Sequence, residues 1–243
     1  VNNLKQLLAW QFPERAQVKM RRLNGKVNPF VRWAAEGCPH RIYDPQHERT
    51  AGAGLSDESR FHAQRLLSIQ TEVLKLELEL EELLCGEQFT VYRRVFERFG
   101  FGDRLQGAIL AHAYPLEEIL DEHKRPVKER RRGTISGKMV TNNISRRKFQ
   151  NILGCVPGED SSGDMFRSRV TGGSELVRKL LWLWQLTRIE PKGSRPKSLV
   201  CQELGDAMDR RKATGEPVRK LRMRQLSVTA KFLFNHLVAE LHT

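Results

Sequence analysis

The chain has 243 residues, of which 42 are Lys or Arg and 29 are Asp or Glu, so its formal net charge at pH 7 is +13. Such an excess attracts polyanions such as DNA, RNA and anionic lipid surfaces, but it does not specify a fold. The longest apolar runs are far too short to span a bilayer and no secretory signal opens the chain, so the sequence excludes a membrane partner and predicts a cytoplasmic, nucleic-acid-associated protein.

Residues 1–55 are predicted to be an irregular segment with short helices at 1–12 and 29–36, because glycines and prolines interrupt the apolar pattern elsewhere. The four cysteines of the chain form no CxxC pair, which argues against a zinc ribbon or a disulfide scaffold. Three loosely spaced residues of metal-ligand type fall in this segment: Cys38, His40 and His47. Their spacing matches no zinc motif, so an ordinary loop is expected and no metal site is predicted.

The most regular pattern in the chain is an apolar repeat that predicts a long helix, the first part of a helical hairpin over residues 56–98. Ser56 suits the N-cap position, and Gly86 suits a left-handed residue that ends the helix. Apolar residues recur between them at the alternating spacing of a heptad seam: Leu66, Ile69, Val73, Leu76, Leu80 and Leu83. The run 72–82 is acidic, so this helix is not expected to contact nucleic acid. The seam is expected to be buried, either against a helix of its own chain or between two copies of the chain.

Residues 99–243 are predicted to form a helical nucleic-acid-binding domain that begins with a Gly-Phe-Gly turn between two helices. In a helix-hairpin-helix-like turn, glycines let the backbone approach a phosphate, and the next helix presents free N–H groups. The candidate phosphate contacts here are Arg98, Gly100, Gly102 and Arg104. A tight interhelical turn without a ligand explains the same residues equally well.

A basic insertion follows at residues 124–148, which contain ten cations against one acid, a local charge of +9. Glycines, threonines and asparagines interrupt any helical pattern in it. The candidate contacts are Lys128, Arg130, Arg131, Arg132, Lys138, Arg146, Arg147 and Lys148. Neutralising several phosphates releases counterions, so a strongly salt-dependent contact with DNA or RNA is expected. A disordered, solvated loop is the alternative.

The last third of the chain is predicted to be a helical bundle, with a strongly apolar core helix over 175–189 and further helices over 199–212 and 218–242. A second cationic cluster surrounds the turn between the last two helices: Arg210, Arg211, Lys212, Arg219, Lys220, Arg222 and Arg224. The predicted fold class is therefore mainly α, with a long heptad-type helix, a helix-hairpin-helix-like turn and a C-terminal helical bundle.

One segment invites a mechanism, because Pro157 is followed at fixed spacing by Ser161, Ser162 and Gly163 on a predicted loop between helices. A serine hydroxyl is a poor nucleophile without a base or a stabilising charge, so chemistry alone favours a polar surface turn. Residues 148–163 nevertheless resemble the C-terminal domain of the DEDD transposases, the Piv-like insertion-sequence family of bridge-RNA-guided recombinases. The motif of that family is roughly Gly-Leu-x-Pro, three residues and Ser-Ser-Gly. The heptad helix, the Gly-Phe-Gly turn and the apolar helix after the motif follow in the family's order.

The resemblance covers roughly residues 59–190 and implies a DNA recombinase whose serine forms a covalent link to DNA. On that basis Ser162, or Ser161, would attack a DNA phosphodiester. The arginines that would stabilise its charge are Arg167, Arg169 and Arg178. Guide RNA is a further implied partner. The family's metal-binding carboxylates lie in an upstream RuvC-like domain, and because the chain opens without Met, residues 1–55 are interpreted as the tail of such a domain. The resemblance thus implies no cofactor in this chain, and Mg²⁺ only where the upstream domain is present.

Two departures from the family pattern keep an alternative open. The family's Lys-x-Gly-Asn becomes Gly-Gly-Ser-Glu at 172–175, and the stretch 124–148 resembles an insertion. These changes favour a non-catalytic DNA- or RNA-binding adaptor derived from such a transposase. A third interpretation is a coiled-coil assembly subunit whose charge merely suits an anionic partner.

Overall fold

The computed structural model describes residues 1–22, 25–132, 137–156 and 172–242, together with the backbone of two strands within 158–169. Within these residues the fold is mainly helical, as predicted, with ten α-helices and two two-stranded antiparallel sheets. The chain divides into two compact units, Val1–Glu79 and Leu80–Thr243. The division falls inside the long helix Asp57–Leu84, whereas the sequence predicts domain boundaries after residues 55 and 98.

The first unit contains three short helices and most of a long one: α1 Asn2–Gln11, α2 Pro29–Glu36, α3 Tyr43–Glu48 and α4 Asp57–Leu84. The helices predicted at 1–12 and 29–36 are confirmed. The third was not predicted, because Pro45 suggests a break in a short polar stretch. Pro45 is the third residue of α3, and a proline is tolerated in the first turn because the N–H groups there have no helical partner.

The irregular chain between α1 and α2 is held by buried amides. The Asn28 side chain caps α2 by accepting the N–H of Phe30 at 3.0 Å, and it donates to the carbonyls of Lys19 and Arg21. Gln70 of α4 accepts the Asn28 N–H at 3.0 Å and donates to the Met20 carbonyl at 2.7 Å. Because a buried polar group without a partner is costly, these bonds fix where the irregular segment lies on α4.

Helix α4 begins as predicted and ends differently. The Ser59 N–H donates to Ser56 Oγ at 3.3 Å, so the predicted N-cap is confirmed. Gly86 has φ −56° and ψ 141°, so the prediction of a left-handed cap there is wrong. The chain passes directly into a short 3₁₀ turn, in which Phe89 donates its N–H to the Gly86 carbonyl, and this path does not need a positive φ.

The heptad seam is buried only in part, because Leu66 and Leu80 pack against the hydrophobic cores while other seam residues face solvent, so the prediction of a buried seam within the chain is wrong for half of it. Ile69, Leu76 and Leu83 are 59%, 53% and 68% exposed. The buried face of α4 lies further round the helix, where Ala63 and Gln70 are buried. Because Gln70 is polar, the buried face of α4 does not appear as a continuous apolar pattern in the sequence. Burial of the seam between two copies stays a prediction.

The second unit is a helical bundle with the following helices: α5 Thr90–Phe99, α6 Asp103–Ala113, α7 Ile144–Ile152, α8 Glu175–Trp184, α9 Leu199–Ala213 and α10 Val218–Leu241. Helix α10 contacts α5, α7, α8 and α9 and therefore forms the centre of the unit. Its Phe234 is fully buried, with its ring centroid 5.5 Å from that of Phe149 in α7.

Two hairpins flank α7 in the chain. They are β1 Lys128–Arg132 with β2 Met139–Asn143, and β3 Gly158–Ser162 with β4 Met165–Arg169. Neither hairpin was predicted, and together they determine where the candidate functional residues lie.

Candidate nucleic-acid interface

The basic insertion forms an antiparallel ribbon. Its register places Lys128 opposite Asn143, Arg130 opposite Thr141 and Arg132 opposite Met139. All five residues of β1 are exposed. Because side chains alternate along a strand, Lys128, Arg130 and Arg132 share one face, and the intervening residues of β1 belong to the other.

The ribbon is tied to the first turn of α7. The Ile144 N–H donates to the Val127 carbonyl at 2.9 Å, and the Val127 N–H donates to Oγ of the fully buried Ser145 at 2.9 Å. The Asn143 side chain then caps α7 by accepting the Arg146 N–H at 2.8 Å. These bonds join the cations of the ribbon to those of the helix. We call the combined set the basic surface: Lys128, Arg130, Arg131, Arg132, Arg146, Arg147 and Lys148.

The basic surface is uncompensated. Among the residues that the structure describes, none of its seven cations has an acidic partner within 4.0 Å. Lys138, the other predicted contact in this region, precedes β2 and interacts with another residue of the chain. Like charges left close together without counter-charge repel one another, so an external anion would relieve this surface.

The second cationic cluster is different, because three of its seven cations form ion pairs within the described chain. Lys212 and Arg222 both contact the carboxylate of Glu190 at 2.9 Å, and Arg224 contacts Glu216 at 2.6 Å. Sequence alone shows two similar basic clusters. The structure separates them by their ion pairs, which join residues up to 32 positions apart.

The Gly-Phe-Gly turn has the geometry of a close interhelical turn. Gly100 has φ 65° and ends α5, and Gly102 precedes the first residue of α6. Phe101 is buried, with its ring centroid 4.9 Å from that of Trp184. Arg98 is paired with Glu240, and Asp103 already places a carboxylate in the first turn of α6. Arg104 is exposed in that turn and interacts within the chain. Packing alone accounts for this turn, and its predicted role in phosphate binding stays a prediction.

The serine pair lies in a strand, so the prediction that it occupies a loop is wrong. In the register of the second hairpin Ser161 is opposite Phe166 and Ser162 is opposite Met165. Arg167 and Arg169 belong to β4, opposite Asp160 and Gly158. Pro157 and Gly163, which define the family spacing, lie outside the described residues. The sequence signal that was missed is the two-residue Gly-Asp connection at 163–164, a composition favoured in hairpins.

Glycines close the base of this hairpin. Gly154 and Gly173 have φ 66° and 67°, and a Cβ added to Gly173 would overlap the Asn151 carbonyl oxygen. The Ser174 N–H donates to the Ile152 carbonyl at 2.9 Å, so the start of α8 lies against the end of α7. Only glycine therefore fits position 173.

The serines and arginines of the predicted set lie on three elements: β3, β4 and α8. Arg178 lies at the base of the hairpin, with Nη1 3.1 Å from where a Cβ on Gly154 would be. Ser162 is four residues beyond Gly158 along β3, a distance of about 13 Å in an extended strand. Arg167 and Arg169 are on the strand paired with that of the serines, whereas Arg178 lies in α8 beside Gly154.

The thiol that follows α7 is buried, and the histidines of the first unit have partners within the chain. Burial raises the pKa of the Cys155 thiol to about 12, and its Sγ lies 3.5 Å from the Leu153 carbonyl oxygen. In the first unit His40 stacks on Tyr43, and His47 Nε2 accepts the Leu55 N–H. No group of three His, Cys, Asp or Glu in the described part of the chain could hold a metal ion.

No family model, curated protein or solved structure matches the chain closely enough to indicate its family. None of the described helices combines the length and the apolarity needed to cross a membrane.

Proposed function

We propose that this chain binds nucleic acid through the basic surface and is the nucleic-acid-binding portion of a DEDD-type recombinase. The observation that carries the proposal is the absence of any acidic partner for its seven cations among the described residues. Surface cations normally occur among acids, as the second cluster does. A nucleic-acid backbone supplies the missing charge, and each neutralised phosphate releases counterions.

The test is a fluorescence anisotropy titration of the whole chain against a labelled 30-base-pair DNA duplex. If six or more phosphates are neutralised, affinity should fall about a thousandfold or more between 50 and 200 mM salt. Replacing Arg130, Arg131 and Arg132 together by Ala should lower the magnitude of the log–log salt slope by about 3.

The matched control removes the same charge from the second cluster at three exposed positions: Arg210, Arg219 and Lys220, each replaced by Ala. It should change the affinity and the salt slope much less than the variant in β1. A flat salt dependence, or equal losses from both triple variants, contradicts binding through the basic surface.

The resemblance supports a serine step in addition to binding. Helix α7, nine residues and about 13 Å long, joins the basic surface to the serine-bearing hairpin, so bound DNA is held close to the base of that hairpin. In this step Ser162 Oγ, or Ser161 Oγ, would lose its proton and form a P–O bond with the DNA phosphorus. The DNA oxygen that leaves would take up a proton. Guide RNA and a second copy of the chain remain proposed partners, and Mg²⁺ would be needed only with upstream carboxylates.

A covalent adduct distinguishes the recombinase from the non-catalytic adaptor. Full-length protein with Mg²⁺ and a labelled DNA junction should form a protein–DNA adduct that survives denaturation, because the serine ester is covalent. Wild type and Ser161→Ala should form it, and Ser162→Ala should not. Loss in Ser161→Ala alone moves the assignment by one residue, whereas no adduct with intact binding favours the adaptor.

A further inference from the structure

The β1–β2 ribbon has two open faces. All of β1 is exposed, and so are Met139, Val140 and Thr141 of β2. A two-stranded hairpin with no covering layer is only marginally stable in water. Hydrogen bonds at its base, through Val127 and Ser145, join the ribbon to α7, while β1 and the first three residues of β2 are exposed to solvent. An exposed two-stranded ribbon of this kind can enter a groove of a nucleic-acid duplex.

The two faces differ in charge. One face carries Lys128, Arg130 and Arg132 together with the cross-strand residues Met139, Thr141 and Asn143, and it has no acid. The opposite face carries one cation, Arg131, and one acid, Glu129, which form no ion pair within the described chain but leave its formal charge at zero. Arginine, lysine, asparagine and threonine are the residue types that contact phosphates and base edges in the major groove. The first face is therefore the one that complements DNA.

The groove that fits can be identified by its dimensions. The major groove of B-form DNA is about 12 Å wide and admits a two-stranded β-ribbon. The major groove of A-form RNA is too deep and narrow for side chains to read. Single strands are usually held by stacking on exposed aromatic side chains. Neither β1 nor β2 contains an aromatic residue, and the one in α7, Phe149, is fully buried.

We propose that the β1–β2 ribbon enters the major groove of duplex DNA with the face that carries Lys128, Arg130 and Arg132 turned toward the base pairs. This inference rests on the proposed nucleic-acid binding and adds to it a substrate class and an orientation. Helix α7 then presents Arg146, Arg147 and Lys148 to the adjacent phosphates, because hydrogen bonds join its first turn to the base of the ribbon.

Neighbouring arginines on opposite faces provide the decisive pair of variants. Arg130→Ala and Arg131→Ala each remove one exposed charge from the centre of the same strand. A purely electrostatic contact loses the same affinity in both. The proposed orientation predicts that Arg130→Ala weakens binding to duplex DNA about tenfold or more, as loss of a base-edge contact does, and that Arg131→Ala weakens it only a few fold. Circular dichroism of both variants checks that the helical fold is unchanged.

Chemical protection locates the groove. In a complex of the whole chain with the 30-base-pair duplex, dimethyl sulfate should fail to methylate guanine N7, which lies in the major groove, and should still methylate adenine N3 in the minor groove. Arg130→Ala at saturating protein should restore part of the N7 reactivity, and Arg131→Ala should not. Duplex RNA and single-stranded DNA of the same sequence should bind more weakly than duplex DNA.

Equal effects of the two variants, protection confined to adenine N3, or equal affinity for duplex RNA or single-stranded DNA would overturn the orientation and leave nucleic-acid binding intact. Absence of binding to all three probes would instead overturn the proposed function itself.

Discussion

At the scale of single residues, ion pairing separates the cations of this chain into two populations. Arg195 shows one extreme. Its side chain is 5% exposed, its Nε donates to the Ile189 carbonyl, and its guanidinium contacts Asp209. Such arginines stabilise the packing of the protein. The cations of the basic surface have no such acidic partners among the described residues, and this difference is the basis of the proposed binding of an external anion.

Glu190 allows the internal population to be tested by pH. Its carboxylate accepts two hydrogen bonds from Arg222 and contacts Lys212, and these partners, Arg222 above all, hold the pKa of Glu190 below its ordinary value of 4.5. A carboxyl whose pKa is lowered by folding stabilises the fold above the unfolded pKa. That contribution is lost as the pH falls through the folded pKa.

Glu190→Gln should therefore lower the free energy of unfolding at pH 7 by about 2 kcal/mol, the size of a charge-assisted hydrogen bond. It should also flatten the decline of stability between about pH 5 and pH 3, measured by urea unfolding. Glu122→Gln, at an exposed position, is the control and should change stability by less than about 0.5 kcal/mol. If Glu190→Gln loses stability between pH 5 and pH 3 as steeply as the wild type, the contact between Glu190 and Arg222 does not form in solution.

At the scale of elements, α4 shows how an apolar repeat can identify a helix and misplace its buried face. The heptad spacing correctly predicts a long helix. The residues that fix it to the first unit include Gln70, whose amide binds the backbone of two irregular residues. Hydrogen-bond partners so distant in sequence leave no periodic signal.

A pair of substitutions in α4 tests whether the buried face is the one that contains Gln70 and not the heptad seam. Gln70→Ala leaves the Asn28 N–H and the Met20 carbonyl without their partner and should destabilise by about 3 kcal/mol. Leu76→Asp changes an exposed position and should alter stability by less than about 0.5 kcal/mol in the monomer. Thermal unfolding together with mass by light scattering decides the matter. A large loss of stability in Leu76→Asp, accompanied by a fall in mass, would show that the exposed seam joins two copies of the chain.

At the scale of the whole molecule, the sequence predicts the helices well and the hairpins poorly. Caps and apolar spacing suffice to locate α2 and α4 along the chain, although they do not identify the buried face of α4. The ribbon has no alternating apolar pattern because neither of its faces is buried, so its strands contain no period-two signal.

The candidate site was predicted by composition and defined by structure. A local charge of +9 is visible in the sequence, and it correctly marks the region of the basic surface. The local charge does not show that Arg98 is paired with Glu240, which lies 142 positions away. The same limit explains why the serines, Arg167, Arg169 and Arg178 were expected as one cluster. The hairpin register places Arg167 and Arg169 on the strand opposite the serines, whereas Arg178 belongs to α8.

The closed bases of the two hairpins bear on how this fold can change over evolution. A backbone hydrogen bond joins the residues on either side of each hairpin. It links Ile144 to Val127 across the first hairpin and Ser174 to Ile152 across the second. Doubling the length of a closed loop costs only about 0.6 kcal/mol, so insertions and deletions between these points leave the helical bundle intact. A residue gained or lost inside α7 would instead rotate its buried face away from α10. Natural variants should therefore differ in length within the two hairpins long before they differ in the nine residues of α7.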